Sequence, residues 1–220
     1  MKQKHGYNKS INNFTLAEEI WHAITHGLGL FLSLIGLVIL VTFATLKGSI
    51  LAIISSAIFG ATLVIMYGSS TIYHALTHKR LKEIFQTFDH ASIYLLIAGT
   101  YTPMTLYLLH DSPYGMPILL AEWITAVFGI YMKFKYLSRF ELLSLILYLL
   151  MGWLIVLAIA PLREVLPDNG FYLLLAGGLT YTLGVYFYIN DSKPYFHALW
   201  HLFVLGGSVF HYFMILLYVV

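Results

Sequence analysis

Residues 20–45 read IWHAITHGLGLFLSLIGLVILVTFAT, a run without a single Asp, Glu, Lys or Arg. A helix needs about 20 predominantly apolar residues to cross the hydrocarbon core of a bilayer. Further apolar stretches lie near 50–77, 88–109, 116–132, 140–160, 171–189 and 195–219. Strands of this length exposed to lipid would leave backbone groups unpaired. The pattern therefore predicts an all-α polytopic membrane protein with seven transmembrane helices.

The composition supports the same class. Of the 220 residues, 60% are hydrophobic and 10% are charged, and the mean hydropathy is +0.80. A soluble domain carries about 25% charged residues, so this chain lacks the polar surface that water requires. The net charge of +2 and the scattered basic residues argue against nucleic-acid binding. Because the chain contains no cysteine, disulfides and thiolate metal sites are excluded.

The chain divides into a cytoplasmic N-terminal tail, residues 1–14, and a transmembrane domain, residues 15–220. Thr15 and Glu18 have the spacing of a capping box, which predicts that the first helix begins there. The first apolar run is too long for a signal peptide, and no cleavage site of small residues follows it. We therefore expect the first run to remain as a membrane helix.

The basic residues indicate the orientation of the helices. Ten of the twelve fall on one side of a seven-helix chain: Lys2, Lys4, Lys9, Lys79, Arg80, Lys82, Lys133, Lys135, Arg139 and Lys193. Lys47 and Arg163 fall on the other side. Loops rich in Lys and Arg remain in the cytoplasm. This split predicts a cytoplasmic N-terminus and an external C-terminus.

Ionisable residues gather at the cytoplasmic ends of four predicted helices. His197 and His201 are four residues apart, so their imidazoles share one helix face. Ser70 and His74 have the same spacing on the second helix, and Asp89 opens the third. Three imidazoles at one depth are a donor set for Zn²⁺, with a fourth position open to water. The competing interpretation is that these polar residues join helices by hydrogen bonds.

The chain resembles the bacterial hemolysin III proteins, within the wider progestin and adipoQ receptor family. The resemblance covers nearly the whole chain and rests on five ordered motifs: Glu18-Glu19 with Thr25-His26-Gly27, Ser70-x-x-x-His74, the block DHASIYLLIAGTYTP at 89–103, PYFHALWH at 194–201, and Gly206-Gly207.

The resemblance implies a site and a location. In the adiponectin-receptor branch, seven helices with a cytoplasmic N-terminus hold a zinc ion near the cytoplasmic face. By resemblance, the metal ligands fall on His74, His197 and His201, with Ser70 and Asp89 beside them. The location implied is the bacterial plasma membrane, with membrane lipids as partners and a lipid or fatty-acyl ligand in the helix bundle.

Several functions remain open on this basis. A zinc ion, with Asp89 as general base and Ser70 as a hydrogen-bond donor, is expected to hydrolyse a lipid amide or ester. The wider superfamily includes ceramidases with this constellation. The alternatives are a non-enzymatic sensor or regulator of membrane state with structural zinc, and a pore-forming cytolysin. The sequence shows no secretion signal, which argues against a secreted toxin. It shows no repeated halves, which argues against a transporter.

Four other polar residues lie on the first and last predicted helices, outside the proposed ligand set. His22 stands where Asn is expected in bacterial members, and it forms a second i, i+4 pair with His26; it either alters the polar network or has no effect. Glu19 is expected to be an interfacial residue at a helix start, where the helix dipole favours it; a role for Glu19 or His26 beside the metal is the alternative and is not favoured. His211 lies about 15 Å beyond His201 along the helix axis, too far to bind the same ion, so we expect a buried hydrogen bond there.

Overall fold

A computed structural model of the protein describes residues 14–136 and 139–220, and within these ranges every regular element is helical. This confirms the predicted all-α class. The α-helices are α1 (Leu16–Lys47), α2 (Ile50–Ala75), α3 (Lys79–Thr102), α4 (Gly115–Tyr136), α5 (Glu141–Trp153), α6 (Ile159–Val165), α7 (Asp168–Ile189) and α8 (Phe196–Tyr218). Apart from Phe14, the predicted N-terminal tail lies outside the described residues.

Local signals set the ends of α1. The capping box is present: the Glu18 backbone N–H donates to the Thr15 hydroxyl at 3.3 Å, and the Thr15 N–H donates to the Glu18 carboxylate at 2.9 Å. Gly48 ends the helix with φ 77°, a left-handed conformation that glycine adopts without a steric penalty. Ser49 then caps α2 through Ala52 N.

Helix α3 extends beyond the apolar stretch that predicts it. It begins at Lys79, although the apolar stretch begins near 88, because its first turns carry charged side chains that hydropathy alone does not assign to a helix. At its other end a π-helix continues from Pro103 to Leu108. Pro103 has no N–H to donate to the preceding turn, which explains why the regular hydrogen-bond pattern changes there.

The fifth apolar stretch forms an interrupted rod. Helix α5 ends at Trp153, a short 3₁₀ segment covers Leu154–Ala158, and α6 follows directly. The Tyr101 hydroxyl of α3 accepts a hydrogen bond from Ile155 N and donates to Gly152 O, both at the interruption. Backbone groups freed at the interruption are therefore satisfied by a neighbouring helix, as a membrane interior requires.

Within residues 14–136 and 139–220, six helical segments are long and apolar enough to cross a membrane: α1, α2, α4, the continuous segment Glu141–Val165, α7 and α8. Large apolar side chains face outward along them, including Val38, Ile124 and Leu183, each more than 60% exposed. Such a surface suits lipid rather than water. Helix α3 is less apolar along its length, and its Tyr94 and Ala98 are fully buried.

Helix packing brings several polar termini to one end of the bundle. Helix α1 packs against α2 and α8, α2 against α3, α3 against α4, and α7 against α8. The start of α1 therefore lies beside the end of α2 and the start of α8. At the opposite end, the Lys47 ammonium donates to the Val219 carbonyl at 3.1 Å.

Candidate metal centre

Three histidines from two helices converge in the interior at the polar end of the bundle. His74 lies in the last turn of α2, while His197 and His201 lie in the first two turns of α8. One ring nitrogen of each lies within 4.8 Å of the others, and all three residues are buried. The ring centroids are 4.7–5.3 Å apart. The structure thus brings together the three histidines that the sequence selects as metal ligands.

The start of α8 is held in place by α1. Tyr195, which precedes α8, has a φ of 61°, an uncommon conformation for a residue with a side chain. Its backbone N–H donates to the Glu18 carboxylate at 3.0 Å. The turn that aims His197 inward is therefore fixed by the first turn of the first helix.

Glu19 orients His74, which corrects the sequence-based assignment of Glu19 to the helix dipole alone. His74 Nδ1 lies 2.7 Å from Glu19 Oε2, and Lys82 Nζ lies 2.9 Å from the other carboxylate oxygen. A carboxylate that accepts from one ring nitrogen presents the other to a metal. His74 Nε2 is buried and has no hydrogen-bond partner among the described residues, so it fits that role.

His201 is held by α1 in a similar way. Its Nδ1 lies 3.1 Å from the Thr25 hydroxyl and 3.3 Å from the His22 carbonyl oxygen. The His26 ring stacks on the His201 ring with centroids 3.5 Å apart and planes 11° apart. These contacts fix the ring and occupy Nδ1, which leaves Nε2 for a metal. His26 thus belongs to the surroundings of the cluster, against the expectation from the sequence.

His197 has an acidic neighbour that the sequence argument missed. Asp191, in the loop before α8, is buried, and its carboxylate lies 3.8 Å from His197 Nδ1. The only signal in the sequence was an acidic residue shortly before a predicted ligand helix. Since Glu19 and Asp191 flank different ligands, the cluster has negative charge on two sides to offset a cation.

Ser70 and Asp89 lie beside the histidine cluster. Ser70 is fully buried, and its hydroxyl is 2.7 Å from His26 Nδ1. The Asp89 side chain interacts with the Ser70 side chain. Ser70, Asp89, His197 and His201 line one cavity. The structure therefore places the predicted Ser and Asp on the cavity side of the cluster.

The cavity continues from this polar end into an apolar region. Its volume is ≈ 120 Å³, and its walls come mainly from α3, α5, α7 and α8. Typical lining residues beyond the polar end are Ile93, Ile97, Leu149, Val185 and Val204. An apolar space that ends at convergent polar groups is the usual form of a ligand site.

His22 is a further neighbour of the cluster and is not among the residues that line the cavity. It is fully buried, and its ring lies 4.7 Å from that of His74, 4.8 Å from that of His197 and 5.4 Å from that of His201. Neither ring nitrogen has a hydrogen-bond partner among the residues described. The departure at His22 therefore adds a fourth imidazole to the cluster.

The donor set fits one divalent ion that favours nitrogen ligands. His74, His197 and His201 offer three imidazoles, and buried Nε2 of His74 otherwise lacks a partner. Glu19, His22 and His74 form a second group with ligand atoms within 4.8 Å. A cation there would compete with the Lys82 ammonium for Glu19, so the three-histidine group is the better candidate.

His211 stands apart from this cluster. Its Nε2 lies 3.1 Å from the Leu174 carbonyl oxygen, which confirms the buried hydrogen bond expected from the sequence. His78 and His110 are exposed near helix ends. His5 lies outside the described residues.

Comparison with known proteins agrees with this architecture. Residues 14–212 match the family model described as "Haemolysin-III related". The chain is 47% identical to the Hemolysin-3 homolog of Bacillus subtilis (strain 168) over 207 residues, covering 94% of this chain and 97% of the relative. It is 44% identical to Hemolysin-3 of Bacillus cereus over 202 residues, covering 92% of each chain.

A more distant relative is human. The chain is 31% identical to the Monocyte to macrophage differentiation factor of Homo sapiens over 168 residues, which cover 74% of this chain and 69% of that protein. The match of the family model over nearly the whole chain, the two Bacillus relatives and the apolar helices lead to one conclusion. The chain belongs to the haemolysin-III-related family and is a multi-pass protein of the plasma membrane.

Proposed function

We propose that the protein is a zinc-dependent hydrolase of lipid amides or esters that acts in membrane lipid homeostasis. The observation that carries this proposal is a cavity that is lined by Ser70, Asp89, His197 and His201 and continues into an apolar interior. A lipid acyl chain matches the apolar part, and a carbonyl group matches the polar end.

The proposal includes a topology of seven spans with a cytoplasmic N-terminus. Helix α3 and the π-helix after it supply the seventh span in addition to the six apolar ones. The distribution of Lys and Arg supports this orientation. The polar end of the bundle, with His74, His197 and His201, then lies near the cytoplasmic face.

The residues of the chain have distinct roles in this reaction. Bound zinc supplies polarisation of the carbonyl group and activation of water. Asp89 accepts a proton from the attacking water and returns it to the departing amine or alcohol as the C–N or C–O bond breaks. The Ser70 hydroxyl donates to the oxygen that gains negative charge, and His26 holds Ser70 in position. Glu19 and Thr25 keep two ligand rings oriented.

A second candidate is a sensor or regulator of membrane state in which zinc is structural. The observation that favours it is the way the cluster joins α1, α2 and α8, with Glu19 and Thr25 of α1 holding rings from the other two helices. A metal at this point would brace three helices at once. The third candidate, a pore-forming cytolysin, is supported by the names of the Bacillus relatives.

A lipid turnover assay distinguishes the first two candidates. Purified protein with its zinc content measured is incubated with ceramides and phospholipids, and released fatty acid is quantified by mass spectrometry. We expect Asp89→Asn to keep zinc and lower release by about 10²- to 10⁴-fold, the usual contribution of a positioned proton acceptor.

The matched control is Asp111→Asn, the same chemical change at an exposed position outside the helices. It should release fatty acid at the wild-type rate. If zinc-loaded wild-type protein turns over none of these lipids, the hydrolase proposal fails and the structural role of zinc is favoured. Leakage of red cells in the same preparation would favour the cytolysin.

A further inference from the structure

His211 lines the same cavity as the candidate metal ligands His197 and His201 but lies far from them. Both His201 and His211 line that cavity, and both belong to α8. Ten residues of helix separate them by about 15 Å along the axis. The cavity therefore has a histidine at each end of an otherwise largely apolar wall.

The hydrogen bond of His211 determines which of its nitrogens is available. Because the Leu174 carbonyl only accepts, Nε2 at 3.1 Å must carry the hydrogen. The ring is buried without an acidic neighbour among the described residues, and a buried unpaired charge is costly, so the ring is neutral. In a neutral imidazole the remaining nitrogen, Nδ1, is an acceptor.

Nδ1 of His211 has no hydrogen-bond partner among the residues that the structure describes, although it is buried. Other polar groups near this end of the cavity are paired. The Tyr181 hydroxyl lies 2.7 Å from Ser208 Oγ, and the Trp153 indole N–H donates to Thr182 Oγ1 at 3.0 Å. Buried polar atoms are normally satisfied, so an unpaired acceptor on a residue that lines a cavity points to a ligand that donates.

The packing of α7 controls the orientation of the ring. A Cβ atom built on Gly177 would lie 2.2 Å from His211 Cδ2 and 2.3 Å from Nε2. Only glycine therefore lets this edge of the imidazole rest against α7. The opposite edge, which carries Nδ1, faces away from that contact.

We propose that His211 Nδ1 is a recognition point for a hydroxyl group on an acyl chain that occupies the cavity. The hydroxyl lies about 15 Å from His201 along the helix axis, a distance that an extended acyl chain spans with roughly a dozen carbons. The inference rests on the part of the proposed function that places an acyl chain in the cavity, and it is independent of hydrolysis. It narrows the ligand class to hydroxylated acyl lipids.

A binding comparison tests this inference. The probes are stearate and stearate that carries a hydroxyl group on its twelfth carbon, each used to displace a fluorescent fatty acid from the detergent-purified full chain. We expect wild-type protein to bind the hydroxylated acid about tenfold more tightly, the size expected of one additional buried hydrogen bond. His211→Leu should bind both acids with equal affinity.

Three further variants separate recognition from structure. His211→Asn places an amide oxygen near the position of Nδ1 and should keep part of the preference. Gly177→Ala should reduce the preference, because the added methyl group displaces the ring. His110→Leu changes an exposed histidine and should behave as wild type.

The ratio of the two affinities is the decisive quantity. Equal binding of both acids by wild-type protein would overturn the inference, and so would a His211→Leu variant that loses affinity for both acids while keeping the ratio. No binding of either acid would overturn it together with the acyl-chain cavity. A preference found in protein that hydrolyses no lipid would support the recognition point and count against the hydrolase alone.

Discussion

The first two turns of α8 and a position ten residues further along carry the same residue type in contrasting surroundings. At the start of α8, the rings of His197 and His201 lie next to those of His74, His22 and His26. Two carboxylates, Glu19 and Asp191, lie beside ligand rings. Ten residues after His201, His211 lies next to the Leu174 carbonyl and the Tyr181 ring. All three histidines of α8 are buried, and the helix around them is apolar. The difference shows that a buried histidine becomes a candidate metal ligand only where other elements deliver further ligands and counter-charge.

Removing both ligands of α8 should produce the largest effect. In His197→Ala/His201→Ala protein, only His74 of the three imidazoles remains, so we expect zinc to fall from about one ion per chain to nearly none. Metal analysis by plasma mass spectrometry on monodisperse protein measures this. His211→Ala removes the same side chain ten residues further along α8 and should keep the zinc. Full zinc content in the double variant would place the metal elsewhere.

Changing the orienting carboxylate should have an intermediate effect. Glu19→Gln keeps an acceptor for His74 Nδ1 but removes the negative charge, and loss of such an outer partner typically lowers metal affinity by about 10- to 100-fold. Competition with a chelator of known zinc affinity measures the change. Glu83→Gln, at an exposed position of α3, is the matched control. Equal affinities in the two variants would show that Glu19 serves the packing of α1 rather than the metal.

Replacement of the fourth imidazole should have the smallest effect. The nitrogens of His22 group with Glu19 and His74 and not with the full ligand set, so His22→Asn should keep both zinc content and zinc affinity near wild-type values. The same chelator competition tests this. X-ray absorption at the zinc edge adds a count of coordinated imidazoles. A fall in affinity with one imidazole fewer would make His22 a fourth ligand and would enlarge the contrast between the start of α8 and His211.

Much of the architecture can be predicted from the sequence, and particular elements show which features cannot. The apolar stretch of α1 and its capping box predict a membrane helix that begins near Thr15, because length and local hydrogen bonding are properties of one segment. The start of α3 at Lys79 was missed, because a helix that continues past the apolar region carries no hydropathy signal. The interruption after Trp153 was missed as well, since it depends on the Tyr101 hydroxyl from another helix.

The candidate site likewise contains residues that the sequence predicts and residues that it does not. Spacing and shared depth at the cytoplasmic helix ends group His197, His201 and His74, and the family resemblance makes them zinc ligands with Ser70 and Asp89 as their partners. Neither source selected Glu19, Asp191 or His26 as neighbours of the ligands. Each of these contacts depends on how two elements pack, and Glu19 is 55 residues from His74 in the sequence. A pattern within one segment contains no information about such a distance.

By itself, the sequence determined that the chain is helical and belongs in a membrane, because a long apolar segment must satisfy its backbone hydrogen bonds internally. It also limited any metal site to histidine, carboxylate and hydroxyl groups, since the chain has no cysteine. Only the tertiary structure decided that α1 holds the rings of α2 and α8, that one cavity runs from Asp89 to His211, and that Gly177 admits the His211 ring. The physical reason is that burial and hydrogen-bond pairing between helices arise from packing, which no single helix specifies.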